Sequence, residues 1–152
     1  MHDELKEQVK FQISEVDKLF EEYNLFFQNV NYDAPSLVDV TVIGSIIHSF
    51  YNGIENIFER ISKEIDNFEP TGNKTHQELL KNVYTANEKR VSVIEEETYM
   101  ILLEYLRFRH VYRHSYSFQL NWEKLKPLSD NLFMTWNKVK QQIFEFLNLL
   151  PK

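Results

Sequence analysis

The sequence contains no cysteine, and only three glycines and four prolines are spread over its 152 residues. The absence of cysteine excludes disulfide bonds and thiolate metal sites. Because glycine and proline are the residues that most often interrupt regular structure, their scarcity predicts long elements. The hydrophobic share of 43% and the charged share of 26% are typical of a folded globular protein and argue against disorder.

Long hydrophobic runs are also missing. No uninterrupted apolar run approaches the roughly 18 residues that a membrane span requires. The opening residues 1–4, Met-His-Asp-Glu, do not begin a signal peptide. Together with the lack of cysteine, these features predict a reducing, cytoplasmic setting and no membrane partner. The length predicts a single domain, residues 1–152, that is large enough to bury a core.

The hydrophobic residues recur at intervals of three and four, which predicts helices. Residues 37–47 are β-branched enough to resemble a strand, but the helical spacing continues to Phe68, which is longer than an ordinary strand. Thr75 is a plausible N-cap, with Glu78 as its capping-box partner. The expected fold is all-α, an up-and-down bundle of four long helices and one short helix. The long helices are predicted at about residues 4–30, 37–68, 91–109 and 127–150, the short one at 75–84, a loop at 69–73 and a connector at 121–127.

Charge is unevenly distributed along the chain. The net charge of −6 argues against binding to nucleic acid when it is taken alone. Residues 1–99 carry nine Lys/Arg and nineteen Asp/Glu, whereas residues 100–152 carry eight and four, so the two parts have net charges of −10 and +4. Two explanations of this asymmetry remain open. It reflects either a chance distribution of charges on solvated helix faces or a local basic surface that binds phosphates.

The densest chemistry lies in residues 109–116, where Arg-His-Val-Tyr is followed by Arg-His-Ser-Tyr. A buried core would not accept this segment, because each unpaired charge would cost several kcal/mol. A purely solvated helix face would not need the aromatic side chains. The composition therefore predicts a surface pocket or an interface.

Arginine and histidine side chains are sufficient for cleaving RNA without a metal. Histidine accepts and donates protons near neutral pH, and arginine stabilises extra negative charge on a pentacoordinate phosphorus. The RNA 2′-hydroxyl supplies the nucleophile, so DNA, which lacks it, would be spared. His110, Tyr112 and Arg113 are expected to help bind bases or phosphates, since tyrosines stack on bases.

Two other interpretations of this segment remain open. His110 and His114 are four residues apart, a spacing that suits a metal, but zinc takes three or four ligands, and the nearest acidic residues, Glu104 and Glu123, are not obviously placed to supply them. The segment could also be a helix end whose charges are simply paired. We expect neither a metal nor a cofactor.

The segment resembles the HEPN superfamily of small helical bundles, which is marked by Arg-x(4–6)-His. Arg109 and His114 fit that spacing, and Tyr116 extends it to Arg-x4-His-x-Tyr, the form found in the HepT toxins of HepT/MntA toxin–antitoxin systems. Further stretches similar to HepT-like proteins are residues 48–56, 76–80 and 107–122, so the resemblance covers about residues 45–125.

The resemblance implies a homodimer in which the motif helices of two copies meet and form one cleft. Arg109 and His114 match the catalytic pair. Tyr116 matches the tyrosine that a partner, a minimal nucleotidyltransferase antitoxin, modifies with AMP, which would add negative charge and bulk over the cleft. His76, on the predicted short helix, is expected to be structural.

The leading hypothesis is a metal-independent endoribonuclease toxin that is silenced by AMPylation of Tyr116. The alternative is a non-catalytic HEPN-type module that binds a partner nucleotidyltransferase or a nucleotide. An intact Arg/His pair favours the first hypothesis, although a fold and a motif do not by themselves prove turnover.

Overall fold

Seven α-helices and one 3₁₀ helix follow one another in the computed structural model, which describes residues 2–152. The predicted all-α bundle is confirmed, and the described residues contain no strand. The four long helices and the short one are joined by two additional short helices, α2 and α6. The elements are α1 (Asp3–Glu22), α2 (Asn24–Asn29), α3 (Leu37–Asp66), α4 (Thr75–Tyr84), α5 (Glu96–His114), the 3₁₀ helix (Ser117–Gln119), α6 (Trp122–Asp130) and α7 (Leu132–Leu149).

The helix boundaries differ from the sequence prediction at several places. Helix α5 begins at Glu96, five residues later than predicted, and the predicted last helix is divided, since residues 127–130 belong to α6 and α7 begins at Leu132. The first predicted helix is interrupted at Tyr23, whose backbone (φ −102°, ψ 8°) leaves the helical region. The predicted connector near residues 121–127 is largely helical, because the Asn121 side chain caps α6 by accepting from the Glu123 amide. Helix α5 continues to His114, so most of the basic segment of residues 109–116 is helical. Arg113 and His114 lie in its last turn, where the helix dipole favours positive charge.

Helix α3 forms the centre of the bundle. Ser36 and Asp39 cap its first turn with a reciprocal capping box, whereas the box predicted at Thr75 does not form, since Thr75 is already helical. The helix packs against α1, α4, α5 and α6. It is the one described helix long and apolar enough to cross a membrane by length and composition, and most of its apolar side chains are buried inside the bundle.

An ion pair holds α4 beside the end of α3. Arg90, in the loop after α4, is 1% exposed at its side chain, and its Nη2 lies 2.7 Å from Oδ2 of Asp66, the last residue of α3. The same guanidinium donates to the backbone carbonyls of Asn82 and Thr85. Burial alone would raise the pKa of Asp66, but the hydrogen bonds from Arg90, Asn82 and Asn87 outweigh it and hold that pKa below its usual value. Because removing one partner of a buried pair costs about 3–5 kcal/mol, this contact fixes the position of α4.

Candidate functional site

Arg109 lies on the face of α5 that points into the bundle. Leu102, Tyr105 and Leu106 are the buried side chains of that face, and Arg109 follows them at helical spacing. Its side chain is 12% exposed. A guanidinium at such a position needs a counterion, because burying an unpaired charge is costly.

That counterion is Glu55, a buried carboxylate on α3. Arg109 Nε lies 3.3 Å from Glu55 Oε1, and the Glu55 side chain is 6% exposed. The Nε atom is buried and donates no hydrogen bond within residues 2–152, so charge rather than hydrogen-bond geometry holds the pair together. The guanidinium is thereby fixed between α5 and α3.

His76, on α4, shares the Glu55 carboxylate. Its Nδ1 lies 2.8 Å from Glu55 Oε2, and its side chain is 37% exposed. Burial raises the pKa of Glu55, opposed by the hydrogen bond and charge of His76 and by the charge of Arg109. One carboxylate therefore connects α3, α4 and α5.

Tyr112 and His48 form a second contact between α5 and α3. Their rings stack with centroids 4.4 Å apart, and His48 Nε2 lies 3.2 Å from Nδ2 of the Asn52 side chain. Burial, together with the positive charges of Arg109 and Arg113, lowers the pKa of His48. Both effects favour the neutral form of the His48 ring.

His110 and His114 lie on the outer surface of α5. Both are exposed, and their ring centroids are 4.5 Å apart. His114 follows Arg109 by five residues, so the two side chains point about 140° apart around the helix. Arg113 is also exposed. The structure brings the two histidines together, while the predicted pair Arg109 and His114 occupies different faces of α5.

Tyr116 lies beyond the end of α5, in the turn that precedes the 3₁₀ helix. It is 72% exposed, and its ring is parallel to that of Phe118 at a centroid distance of 5.6 Å. Its backbone amide donates to the side chain of Gln119. By contrast, Tyr112 is half-buried. Of the two tyrosines in the doubled unit, Tyr116 is therefore the accessible one.

A groove of about 730 Å³ runs between α4 and α5. Arg109 reaches its inner edge, and His76 and His110 line its two walls. No three His, Asp or Glu side chains come together as a metal site anywhere in residues 2–152. The groove therefore presents arginine, lysine and histidine side chains, which suit an anionic ligand. Its lining is completed by Asn73, Lys74, Gln77, Glu78, Lys81, Tyr99, Leu103, Leu106, Arg107 and Val111.

In a comparison with protein families, residues 42–150 match the family described as HepT-like protein. The chain belongs to the HepT-like protein family. Membership indicates a HEPN-type toxin module, and the match includes α3 from residue 42 onward, all of α4 and α5, and every site residue described above. No match was found among curated proteins or among solved structures.

In this HepT-like protein, sequence reasoning located the basic segment but missed its partners on other helices. Glu55 and His48 were noticed only as parts of a HepT-like stretch, and His76 was expected to be structural. A signal for Glu55 was present, since it lies four residues after Tyr51 and three before Phe58 on the buried stripe of α3. A carboxylate at a core position predicts a buried cationic partner.

Proposed function

We propose that this HepT-like protein is the toxin of a toxin–antitoxin system and a metal-independent endoribonuclease acting in the cytoplasm. The observation that carries the proposal is the fixed guanidinium of Arg109. Buried Glu55 holds it at the edge of a basic groove, and the exposed histidines His110 and His114 lie on the same helix. A positioned guanidinium can stabilise charge that develops on a phosphate without having to reorganise.

The chemistry needs only these side chains and the RNA itself. The 2′-oxygen forms a bond to phosphorus while the bond from phosphorus to the 5′-oxygen breaks. His114 accepts the 2′ proton or supplies the proton that the departing 5′-oxygen takes, and water carries the other. Arg109 stabilises the negative charge on the phosphorane oxygens. The products are a 2′,3′-cyclic phosphate and a 5′-hydroxyl.

The products and the metal requirement test this mechanism directly. The purified protein is expected to cleave single-stranded RNA in the presence of EDTA and to leave 2′,3′-cyclic phosphate ends, since no step uses a metal. An oligonucleotide of the same sequence with 2′-deoxyribose should stay intact. Electrophoresis and mass spectrometry of the fragments provide the measurement. Full loss of cleavage with EDTA, or cleavage of the deoxy control, would contradict the proposal.

The catalytic unit is proposed to be a homodimer. Since Arg109 and His114 point in different directions on one α5, a second copy would complete the site across a two-fold axis, the commonest symmetry of oligomers. An apolar groove of about 860 Å³ beside the motif, between α5, α6 and α7, supports a contact surface. Val111 and Met134 line it and are 50% and 63% exposed.

The dimer is testable by mass and by cross-linking. Light scattering at micromolar concentration is expected to give twice the chain mass of 18.4 kDa. Because the chain lacks cysteine, Val111→Cys introduces a unique thiol, which a short bismaleimide should cross-link between copies. Lys10→Cys, exposed on α1, is the matched control and should stay uncoupled. A monomeric mass, or cross-linking through Lys10→Cys alone, would contradict the arrangement.

A nucleotidyltransferase antitoxin is the proposed partner, and Tyr116 is its proposed target. The 72% exposure of Tyr116 and its place outside the helix support access by another enzyme. AMP on this hydroxyl would add a phosphate next to the last turn of α5, close to His114. Negative charge there would compete with RNA phosphates for the basic segment.

One observation favours the alternative, a non-catalytic module that binds a nucleotidyltransferase or a nucleotide. Glu55 neutralises much of the charge of Arg109, and an arginine that is 12% exposed has limited access to a substrate. This alternative predicts binding to the antitoxin or to AMP with no RNA cleavage under any condition. The cleavage assay with EDTA separates the two functions.

A further inference from the structure

We infer that the groove between α4 and α5 binds the phosphates of single-stranded RNA, with Lys74 and Lys81 as its principal contacts, and that it leads the strand toward the α5 histidines. The inference rests on the proposed function, since it names the path of the substrate. Neither lysine belongs to the basic segment of residues 109–116.

The two walls of the groove place basic side chains along its length. Lys74 and Lys81 are seven residues apart, about two turns along one face: Lys74 is the N-cap of α4 and Lys81 lies in its last turn. On α5, Arg107 and His110 line the opposite wall, and His114 continues the same helix face beyond them. The groove therefore reaches His110, whose ring lies beside that of His114, the residue assigned to proton transfer.

The two lysines are the free cations of this groove. Arg107 is paired with Glu104, and Arg109 is paired with Glu55. Lys74 and Lys81 are exposed, and their ammonium groups form no ion pair or hydrogen bond within residues 2–152. Glu78 is the one carboxylate that lines the groove. That single carboxylate is outnumbered by the two lysines, so on a chain with a net charge of −6 the groove keeps a local excess of positive charge, which favours anions.

The spacing of the lysines suits a nucleic acid strand. Seven residues of helix advance about 10 Å, a distance that two phosphates of one extended single strand can span. An acidic protein segment would satisfy the same lysines by charge alone. RNA is favoured because the groove also contains the edge of Arg109 and leads to His110 and His114, groups that can act on a phosphodiester.

The experiment measures binding without cleavage. The probe is a fluorescein-labelled, single-stranded 2′-O-methyl RNA of mixed sequence, which has no nucleophile and stays intact. The double variant Lys74→Ala/Lys81→Ala is compared with Lys10→Ala/Lys18→Ala, which removes two exposed lysines from α1 and changes the net charge equally. Fluorescence anisotropy is recorded over a range of salt concentrations.

The groove variant is expected to bind RNA on the order of tenfold more weakly than the unmodified protein at low salt. The slope of the logarithm of its RNA association constant against the logarithm of the salt concentration should be smaller in magnitude by about 1.4, because two phosphate contacts to a single strand are lost. The α1 control should match the unmodified protein in both quantities. Equal affinity and slope in the two double variants would overturn the inference, as would loss of antitoxin binding in the groove variant with RNA binding unchanged.

The result of this binding experiment can be distinguished from the result of the cleavage assay that tests the proposed function. If binding of the 2′-O-methyl probe depends on the lysines but ordinary RNA is not cleaved, the RNA-binding role of the groove stands and the proposed ribonuclease activity is wrong. If ordinary RNA is cleaved but binding of the probe does not depend on the lysines, the ribonuclease activity stands and the RNA-binding role of the groove is wrong.

Discussion

Replacing Arg109 with alanine is expected to abolish RNA cleavage and growth inhibition, and replacing His114 with alanine is expected to do the same. A positioned acid or base contributes about 10²–10⁴-fold to a rate, and one charge-stabilising donor contributes about 10²–10³-fold. Single-turnover cleavage of a labelled RNA measures the loss, and growth of cells that express each variant gives an independent readout.

Both variants are expected to remain folded, so the loss reports on chemistry. His114 is exposed and contacts only His110 among the described aromatic rings. Arg109→Ala leaves Glu55 without its cation, but burial already raises the pKa of Glu55, and the hydrogen bond to His76 persists. Circular dichroism checks that each variant is folded. The control is Arg60→Ala, which removes an arginine from α3 and its hydrogen bond to Gln8. Cleavage at the unmodified rate by either site variant would exclude the assigned pair.

Tyr116→Phe is expected to remain toxic when the cognate nucleotidyltransferase is co-expressed. The substitution removes the hydroxyl that would accept AMP and leaves Arg109 and His114 in place. Since the ring is 72% exposed, the change is expected to cost little stability. Growth of the co-expressing strain distinguishes silenced from active toxin, and mass spectrometry counts the AMP units on the unmodified protein.

Tyr112 is the matched control for that experiment, because it occupies the equivalent position in the first half of the doubled unit. It stacks on His48 and is half-buried, so it is expected to carry no AMP. AMP on Tyr112, or continued silencing of Tyr116→Phe by the antitoxin, would show that Tyr116 is not the regulatory site.

Local periodicity was enough to predict the long helices, and it failed where capping decided the boundary. The stripe on α3 was recognisable because its buried residues repeat every three or four positions over 30 residues. The interruption at Tyr23 and the start of α6 at Asn121 depend on backbone angles and on one side-chain cap, which leave little trace in hydrophobic spacing.

The candidate site was predictable only for residues that are neighbours in sequence. The doubled unit identified Arg109, His110, Tyr112 and His114 because they lie within a few turns of helix. The partner of Arg109 could not be placed, since Glu55 is 54 residues away in sequence and meets it only through the packing of α3 on α5. The exposure of Tyr116 likewise depends on where α5 ends, which the sequence placed five residues too early.

The continuity of α3 limits how this family can change in length. His48 and Glu55 lie seven residues apart on one uninterrupted helix, and each meets a different residue of α5. One residue inserted between them would rotate Glu55 by about 100° and shift it by about 1.5 Å, so at most one of the two contacts could survive. Insertions and deletions among related proteins are therefore expected in the exposed loop between α3 and α4, and absent from the stretch between His48 and Glu55.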